Sequence, residues 1–244
     1  MDIKTNKQKI LIIIPTYNEI RNIANLIDSI YSLKMFPSVL VIDDNSPDGT
    51  SQLIDKIKIN YPKLYLITRE KRMGLSSAYI KGFKFALEGD YEIVIQMDAD
   101  LSHQPHYIPE MVNLLSEYDL VIGSRYVKGG GTLNWELGRT LLSRLANIAS
   151  KAMLRVPLND LTSGFKCMRI GVLKGINFNE ITSRGYSFQI EMVIYAFLKG
   201  FKITEYPIVF KGRKNEESKM SFGIAAEAFF KVIMLSLRRK ISQK

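Results

Sequence analysis

The sequence predicts an α/β domain built on a mostly parallel sheet, and three observations predict it. Apolar runs recur at 10–14, 39–42, 64–67, 93–97, where only Gln96 is polar, and 120–122, as strands buried on both faces require. Between them lie segments whose apolar residues repeat every three or four positions, the pattern of helices with one covered face. The connections are short, so strand and helix alternate as in successive βαβ units. Ligands of such sheets bind beyond the carboxyl ends of the strands. The loops leaving those ends are therefore where chemistry is to be sought.

The first strand runs into PTYNE at 15–19, where Asn18 is placed to cap a helix carrying Ile20, Ile23, Ile27 and Ile30. After the second strand comes DDNSPDGT at 43–50, in which Asp48 and Thr50 suit a turn and a cap, then a short helix with Leu53, Ile54 and Ile57. The third strand leads through a basic loop, REKRMG at 69–74, to a helix with Tyr79, Phe83 and Ala86. The fourth runs straight into DADLSHQP at 98–105, and the fifth ends in GSRY at 123–126, followed by the glycine-rich VKGGG. Helical spacing returns over 135–155 with Leu137, Leu141, Leu145 and Ile148, and again over 187–200. A last helix, about 221–240, carries Phe222, Ala226, Phe229, Phe230, Ile233 and Leu237 before a basic end. That face suits either core packing or a membrane interface.

A chain of 244 residues can bury a sizeable core as one large domain or two closely fused halves. Its 46% hydrophobic and 24% charged residues are ordinary for a folded protein. Disorder is expected only over residues 1–8. The lone cysteine, Cys167, excludes an intramolecular disulfide and reads as a small buried apolar side chain. The run at 10–14 is too short for a signal-peptide core, and the apolar stretch 222–237 is broken by Glu227 and Lys231, so neither a leader nor a spanning helix is expected. The net charge of +10 is uneven: Arg125, Lys128, Arg139, Arg144, Lys151 and Arg155 face only Glu136 between Gly123 and Arg155. A basic second half points to a polyanionic partner, whether nucleic acid, phosphorylated substrate or anionic membrane. Neither GxGxxG nor GxxxxGK[ST] occurs, which argues against dinucleotide and P-loop binding.

The sharpest chemical signal is Asp98-Ala99-Asp100 at the end of the fourth strand. Alternate side chains of an extended segment point the same way, so the two carboxylates can converge while Ala99 faces away. A hard ion such as Mg²⁺ accepts one or two protein carboxylates and completes its shell with water and phosphate oxygens. An isolated Asp-X-Asp more often solvates a loop or caps a helix. Here its neighbours decide the reading.

Taken in order, PTYNE, DDNSPDGT, MDADLSHQP and GSRY resemble family 2 glycosyltransferases, and within them the dolichyl- or polyprenyl-phosphate mannose synthases, over about 9–223. The resemblance implies a GT-A, Rossmann-like nucleotide-sugar fold over 9–220. A donor half at about 9–125 and an acceptor half at about 126–220 would carry an amphipathic interface helix, 221–244, packed on them. It implies inverting transfer of mannose from GDP-mannose to dolichyl or polyprenyl phosphate with Mg²⁺ or Mn²⁺. The same fold using UDP-glucose, or a catalytically silent membrane adaptor, are the alternatives. A nucleic acid would explain the charge but none of the acidic motifs, and is not expected. The resemblance further implies a cytoplasmic protein held peripherally on the cytoplasmic membrane face, with or without an anchoring subunit.

Residue by residue, the resemblance places Pro15, Tyr17, Glu19, Ile42 and Asp44 on the nucleotide, and Asp98, Ala99 and Asp100 at the metal and diphosphate. Ser102 is a further candidate ligand, directly or through water. Arg213 and Lys219 would clamp the diphosphate, while Arg125, Arg139 and Ser143 would receive the acceptor phosphate. Arg139 and Ser143, four apart, share one helix face. The bland alternative for Tyr17, Glu19, Asp43 and Asp44 is that they stack, cap and stabilise turns. A buried acid at Asp44 also suits the N–H groups of a base. His103 is expected to support the metal loop as a donor and His106 to be structural or at the surface. Asp160, in DLTSGF at 160–165, is the candidate base, although a phosphate acceptor needs none. VKGGG at 127–131 reads equally as a linker or as a loop over the acceptor. Two positions depart from the family pattern: Ser76 stands where a glycine is usual, and Glu216 replaces the glycine of R-x-x-G-x-S-K. The serine is compatible only with a backbone that does not need positive φ there.

Overall fold

The computed structural model describes residues 8–134, 143–144, 147–148, 151–153, 155–183, 185 and 187–212. The first seven residues, most of the helical pattern at 135–155, and the amphipathic segment 221–244 lie outside the described residues.

The strands are β1 (Ile10–Thr16), β2 (Ser38–Asp43), β3 (Leu64–Thr68), β4 (Ile93–Gln96), β5 (Leu120–Ser124), β6 (Gly131–Leu133), β7 (Lys166–Arg169), β8 (Ile203–Pro207) and β9 (Val209–Lys211). The helices are α1 (Ile23–Tyr31), α2 (Thr50–Ile57), α3 (Leu75–Glu88), α4 (Ile108–Leu114), α5 (Ile170–Lys174) and α6 (Ser187–Leu198). Seven strands form one sheet in the order β3-β2-β1-β4-β7-β5-β8, and β6 pairs with β9 apart from it. Every pairing in the large sheet is parallel except those of β7, which runs antiparallel to both β4 and β5.

Alternation along the strands builds two cores. On one face Leu11, Ile13, Val94, Ile122 and Met168 pack with Tyr79 and Phe83 of α3, Val172 of α5 and Phe188 of α6. On the other, Ile12, Ile14, Ile95, Val121 and Cys167 pack with Ile23, Leu26 and Ile27 of α1 and Met111 of α4. Both faces are covered, which is why the strands read as continuous apolar runs rather than as alternating ones.

Several expectations are refined. The first helix starts at Ile23 with Asn22 before it, so Asn18 does not cap it. Asn18 adopts φ +60°, and its N–H donates to Ser46 Oγ at 2.9 Å. Ile20 is correspondingly off the apolar stripe, at 38% exposure. Ser76 lies inside α3, where helical φ suits serine as well as glycine. VKGGG folds back as an ordered turn, with Gly130 N–H on Val127 O at 2.9 Å, and delivers the chain into β6. A side chain at Gly130 would meet Ser124 O at 2.5 Å, so the glycine is there for close backbone approach. β7 had no counterpart in the strand assignment, because Lys166 and Arg169 bound a run of only two apolar residues, Cys167 and Met168.

Gly82 lets α3 lie directly on β1 and β2: a Cβ there would sit 2.6 Å from Ile13 Cγ2 and 3.1 Å from Ile42 Cδ1. Gly82→Ala is therefore expected to destabilise the fold by about 1–3 kcal/mol through overpacking. Urea denaturation checks this, as a lower midpoint with an unchanged slope.

Candidate active site

β2, β1 and β4 are adjacent and parallel, so the loops after them meet beyond one edge of the sheet. Hydrogen bonds tie the first two loops together: Thr16 Oγ1 donates to Asp43 Oδ1 at 2.8 Å, and the Glu19 N–H to Thr50 Oγ1 at 3.1 Å. Asp43 is fully buried and also accepts from the Ser46 N–H and from Ser51 Oγ, so its work is to build the turn. Asp48 accepts from the Thr50 and Ile20 N–H groups, the turn-and-cap role expected of it.

Asp44 is engaged with the basic loop. Its carboxylate is ion-paired with Arg69 and accepts from the N–H groups of Met73 and Gly74 at 3.1 and 3.0 Å. It thereby fixes residues 69–74 beside the crevice, where the Arg72 guanidinium lies 4.3 Å from the centre of the Tyr17 ring. Glu19 is 6% exposed and accepts from Asn22 Nδ2 at 2.9 Å. Pro15 and Tyr17 are partly exposed at the strand end. Ile42 corrects the expectation for it: its side chain is wholly buried beneath α3 and presents no surface to a nucleotide.

Burial alternates along the acidic tripeptide as its spacing implies. Ala99 turns into the core at 3% exposure, while Asp98 and Asp100 are partly exposed. Leu101, at φ +61°, bends the chain so that Asp100 accepts both the N–H and the hydroxyl of Ser102. Ser102 is 1% exposed, and its hydroxyl is directed at Asp100. Tyr79 Oη donates to Asp98 Oδ1 at 3.4 Å. Gly164 packs against the same carboxylate, since a Cβ there would stand 3.3 Å from Asp98 Oδ2.

His103 lies buried between Phe165, stacked at 5.1 Å, and Phe210, edge-on at 5.4 Å. Its Nδ1 accepts the Asp98 backbone N–H at 3.0 Å, so the ring is neutral with its proton on Nε2. The expectation of a donor is thus reversed: the imidazole supports the loop as an acceptor. Burial pushes its pKa below the usual value, against the opposing pull of Asp98 and Asp100.

Among the described residues no group of three or more His, Cys, Asp or Glu side chains could hold a metal ion by itself. Two partly exposed carboxylates nevertheless fit a hard divalent cation that draws its remaining ligands from water and phosphate oxygens.

Across the crevice, Arg125 follows the end of β5. Its Nε and Nη2 donate to the two oxygens of Asp160 at 2.7 and 2.6 Å, a fork-on-carboxylate pair, and Nη2 also reaches Thr162 Oγ1 at 2.7 Å. Glu205 of β8 holds the other end, accepting from the Asp160 and Asn159 N–H groups at 2.9 and 2.8 Å. Burial pushes the fully enclosed Asp160 carboxyl up, but the charge and hydrogen bonds of Arg125 outweigh it and hold the pKa below its ordinary value. A carboxylate so held is a poor proton acceptor, which corrects the candidate base to a partner of Arg125. Tyr126 Oη donates to Ser143 Oγ at 2.7 Å, which ties Ser143 to the residue after Arg125. Arg139, Arg213 and Lys219 lie outside the described residues.

Sequence reasoning missed Glu205 and Thr162, and gave Arg69 and Arg72 of the basic loop no partners. Each acts through a contact between segments distant in sequence, for which no local pattern exists. A cavity of about 910 Å³ lined by Tyr31, Phe36, Tyr65, Phe85 and Tyr91 opens near Ile10 and Ser38, at the opposite edge of the sheet from this crevice.

Asp160→Asn leaves a buried guanidinium without its counter-charge and is expected to cost about 3–5 kcal/mol of stability, measured by chemical denaturation. His103 is expected to impose an acid limb on stability. Below about pH 6.5 the unfolded chain takes up a proton that the native imidazole refuses, so stability falls as pH drops until the depressed native pKa is reached. In His103→Asn, whose Oδ1 can still accept from the Asp98 N–H, that part of the slope should vanish from denaturation midpoints between pH 6.5 and 5.

Comparison with known proteins points the same way. Residues 11–176 match the family model described as glycosyl transferase family 2. Undecaprenyl-phosphate mannosyltransferase of Micrococcus luteus is 39% identical over 224 residues, 92% of either chain. Polyprenol monophosphomannose synthase of Mycolicibacterium smegmatis is 37% identical over 238 residues, 97% of this chain and 90% of that one. Glucosyl-3-phosphoglycerate synthase from Mycobacterium tuberculosis superimposes in its UDP complex with a TM-score of 0.66 at 19% identity, covering 94% of this chain and 80% of that one. Its complex with Mn²⁺, UDP and glucosyl-3-phosphoglycerate gives 0.64 at 20% identity, over 94% and 78%. At that identity the likeness bears on the fold alone. With the motif-bearing loops gathered at one sheet edge and the family model spanning most of the sheet, the chain belongs to glycosyl transferase family 2 and is a glycosyltransferase of GT-A fold.

Proposed function

We propose that this enzyme transfers mannose from GDP-mannose to a dolichyl or polyprenyl phosphate, inverting the anomeric carbon, with Mg²⁺ or Mn²⁺ bound. Two relatives at 37–39% identity named for mannosyl transfer to polyprenyl carriers support the reaction class. The observation that supports the reading is one turn in contact with both groups of candidate residues. Gly164 abuts the Asp98 carboxylate, and Ser163 Oγ donates to the Gly123 carbonyl of the strand that leads to Arg125, whose neighbour Tyr126 donates to Ser143.

Pro15, Tyr17, Glu19 and Asp44 line the nucleoside end, and Arg72 over Tyr17 covers it. Asp98 and Asp100 would hold the cation, which when bound supplies Lewis-acid stabilisation of the departing diphosphate. Arg213 and Lys219 are assigned to the same diphosphate. Arg125, Arg139 and Ser143 receive the acceptor phosphate and offset its repulsion from the donor. A phosphate monoester has a second pKa of about 6, so the acceptor arrives mostly dianionic and needs no side-chain base. The protein's contribution is to hold two anions in line for displacement, with the Arg125 fork kept in one orientation by Asp160.

A lipid-linked acceptor brings the enzyme to a membrane surface. Among the described residues no helix is long and apolar enough to cross a membrane. The amphipathic segment at about 221–240 would dock there peripherally, on the cytoplasmic face.

Transfer of radiolabelled sugar into organic-extractable lipid, comparing GDP-mannose with UDP-glucose, tests the proposal. GDP-mannose with Mg²⁺ or Mn²⁺ should label the lipid, and Asp100→Ala should reduce turnover about a hundredfold or more. A preference for the uridine donor would retire the mannose assignment, and an undiminished rate in EDTA-treated protein would remove the metal from it.

A further inference from the structure

Behind Asp98 lies a buried polar group that the proposed reaction does not use. Gln96 precedes Asp98 by two residues and pairs across the β4–β7 ladder with Lys166, which is fully buried along with Gln96. The Lys166 ammonium donates to the carbonyl of Ser163 and to Oε1 of Gln189, on α6, at 2.5 Å. Gln96 Oε1 and Gln189 Nε2 find no partner among the described residues. Burial pushes the lysine's pKa down to about 7, against the pull of Asp160 and Asp98. A hydrocarbon side chain would fill this place with a smaller desolvation cost, so packing alone does not call for an ammonium.

What the ammonium does hold is the turn between the two half-sites. Gly164 abuts the Asp98 carboxylate. Ser163 Oγ donates to the Gly123 carbonyl at 2.6 Å, and the Gly123 N–H donates to Phe165 O at 2.9 Å, two residues before Arg125. One short turn therefore touches the donor side through Asp98 and the acceptor side through β5.

We propose that Lys166 is a positioning residue: by gripping the Ser163 carbonyl from within the core, it sets the spacing between Asp98 and Arg125 and so the alignment of donor with acceptor. The inference rests on the assignment of those two residues above. Without the grip, each half-site still binds its own ligand, but the line of attack is lost. A displacement of about 1 Å is enough to cost about a hundredfold in rate.

The test is Lys166→Met and Lys166→Arg, assayed for sugar transfer and for Mn²⁺ binding in the presence of GDP by electron paramagnetic resonance. In the methionine variant kcat should fall about 30- to 100-fold, with KM for both substrates and Mn²⁺ affinity within about threefold of wild type. Its thermal midpoint should move by no more than about 3 °C, whereas a merely structural lysine would lower it further. The arginine variant should recover kcat to within about fivefold, because a guanidinium can donate to both carbonyls and to the unpartnered Gln96 Oε1. An unchanged kcat in Lys166→Met, or a loss that appears only in KM or only with a collapsed midpoint, overturns the proposal. Should that variant fail to fold, Lys166→Gln must give the same separation of kcat from KM, and wild-type turnover there is equally fatal. Asp98→Ala, run alongside, separates the two levels: if it retains activity the site assignment fails, and if it is inactive while Lys166→Met is normal, only the role of Lys166 falls.

Discussion

The site depends on one reversed strand. A strand that runs antiparallel to its neighbours begins where they end, so the residues leading into β7 arrive at the carboxyl ends of β4 and β5. Those residues are the segment 160–165, and they bring Asp160 to Arg125, Gly164 to Asp98 and Phe165 to His103. Were β7 parallel, the same segment would emerge at the far edge of the sheet, and the loops after β1, β2 and β4 would have nothing from it beside them. The antiparallel insertion brings a second group of residues to the strand ends that carry the motifs.

Charge at these strand ends is arranged so that buried Arg125 and Asp44 each meet an opposite charge, while Asp98 and Asp100 keep partial exposure. Arg125, at 7% exposure, is neutralised by an enclosed carboxylate that Glu205 orients through backbone N–H groups. Such a pair gains little stability over apolar residues of similar volume, but it leaves a guanidinium plane in one orientation. The carboxylates of Asp98 and Asp100 are left partly open, while the imidazole beside them is kept neutral by burial. A neutral ring adds no positive charge beside the two acids.

The loops after β1, β2 and β3 are likewise bonded to one another. Asp43 builds the turn after β2, and Asp44 tethers the basic loop after β3, so neighbouring acids in one motif serve different ends. Arg69 and Arg72 then occupy defined places, one against Asp44 and the other over Tyr17. The serine that departs from the family pattern is accommodated because it lies in the first turn of α3 instead of occupying a left-handed turn.

The amino-acid sequence by itself determined the alternation of strand and helix, β1 to β5 and the helices α1, α2, α3 and α6, and the burial of Ala99 between two more exposed aspartates. All of these follow from local periodicity, two residues for a strand and three to four for a helix. It also carried the four motifs by which the family is recognised. The direction and place of β7, the acceptor's role of His103, the pairing of Asp160 with Arg125 and the burial of Lys166 were decided only by tertiary structure. A charged residue bounding a short strand looks the same in sequence whether it faces water or a buried carbonyl. Which of these it meets depends on segments that are brought to it only when the chain has folded.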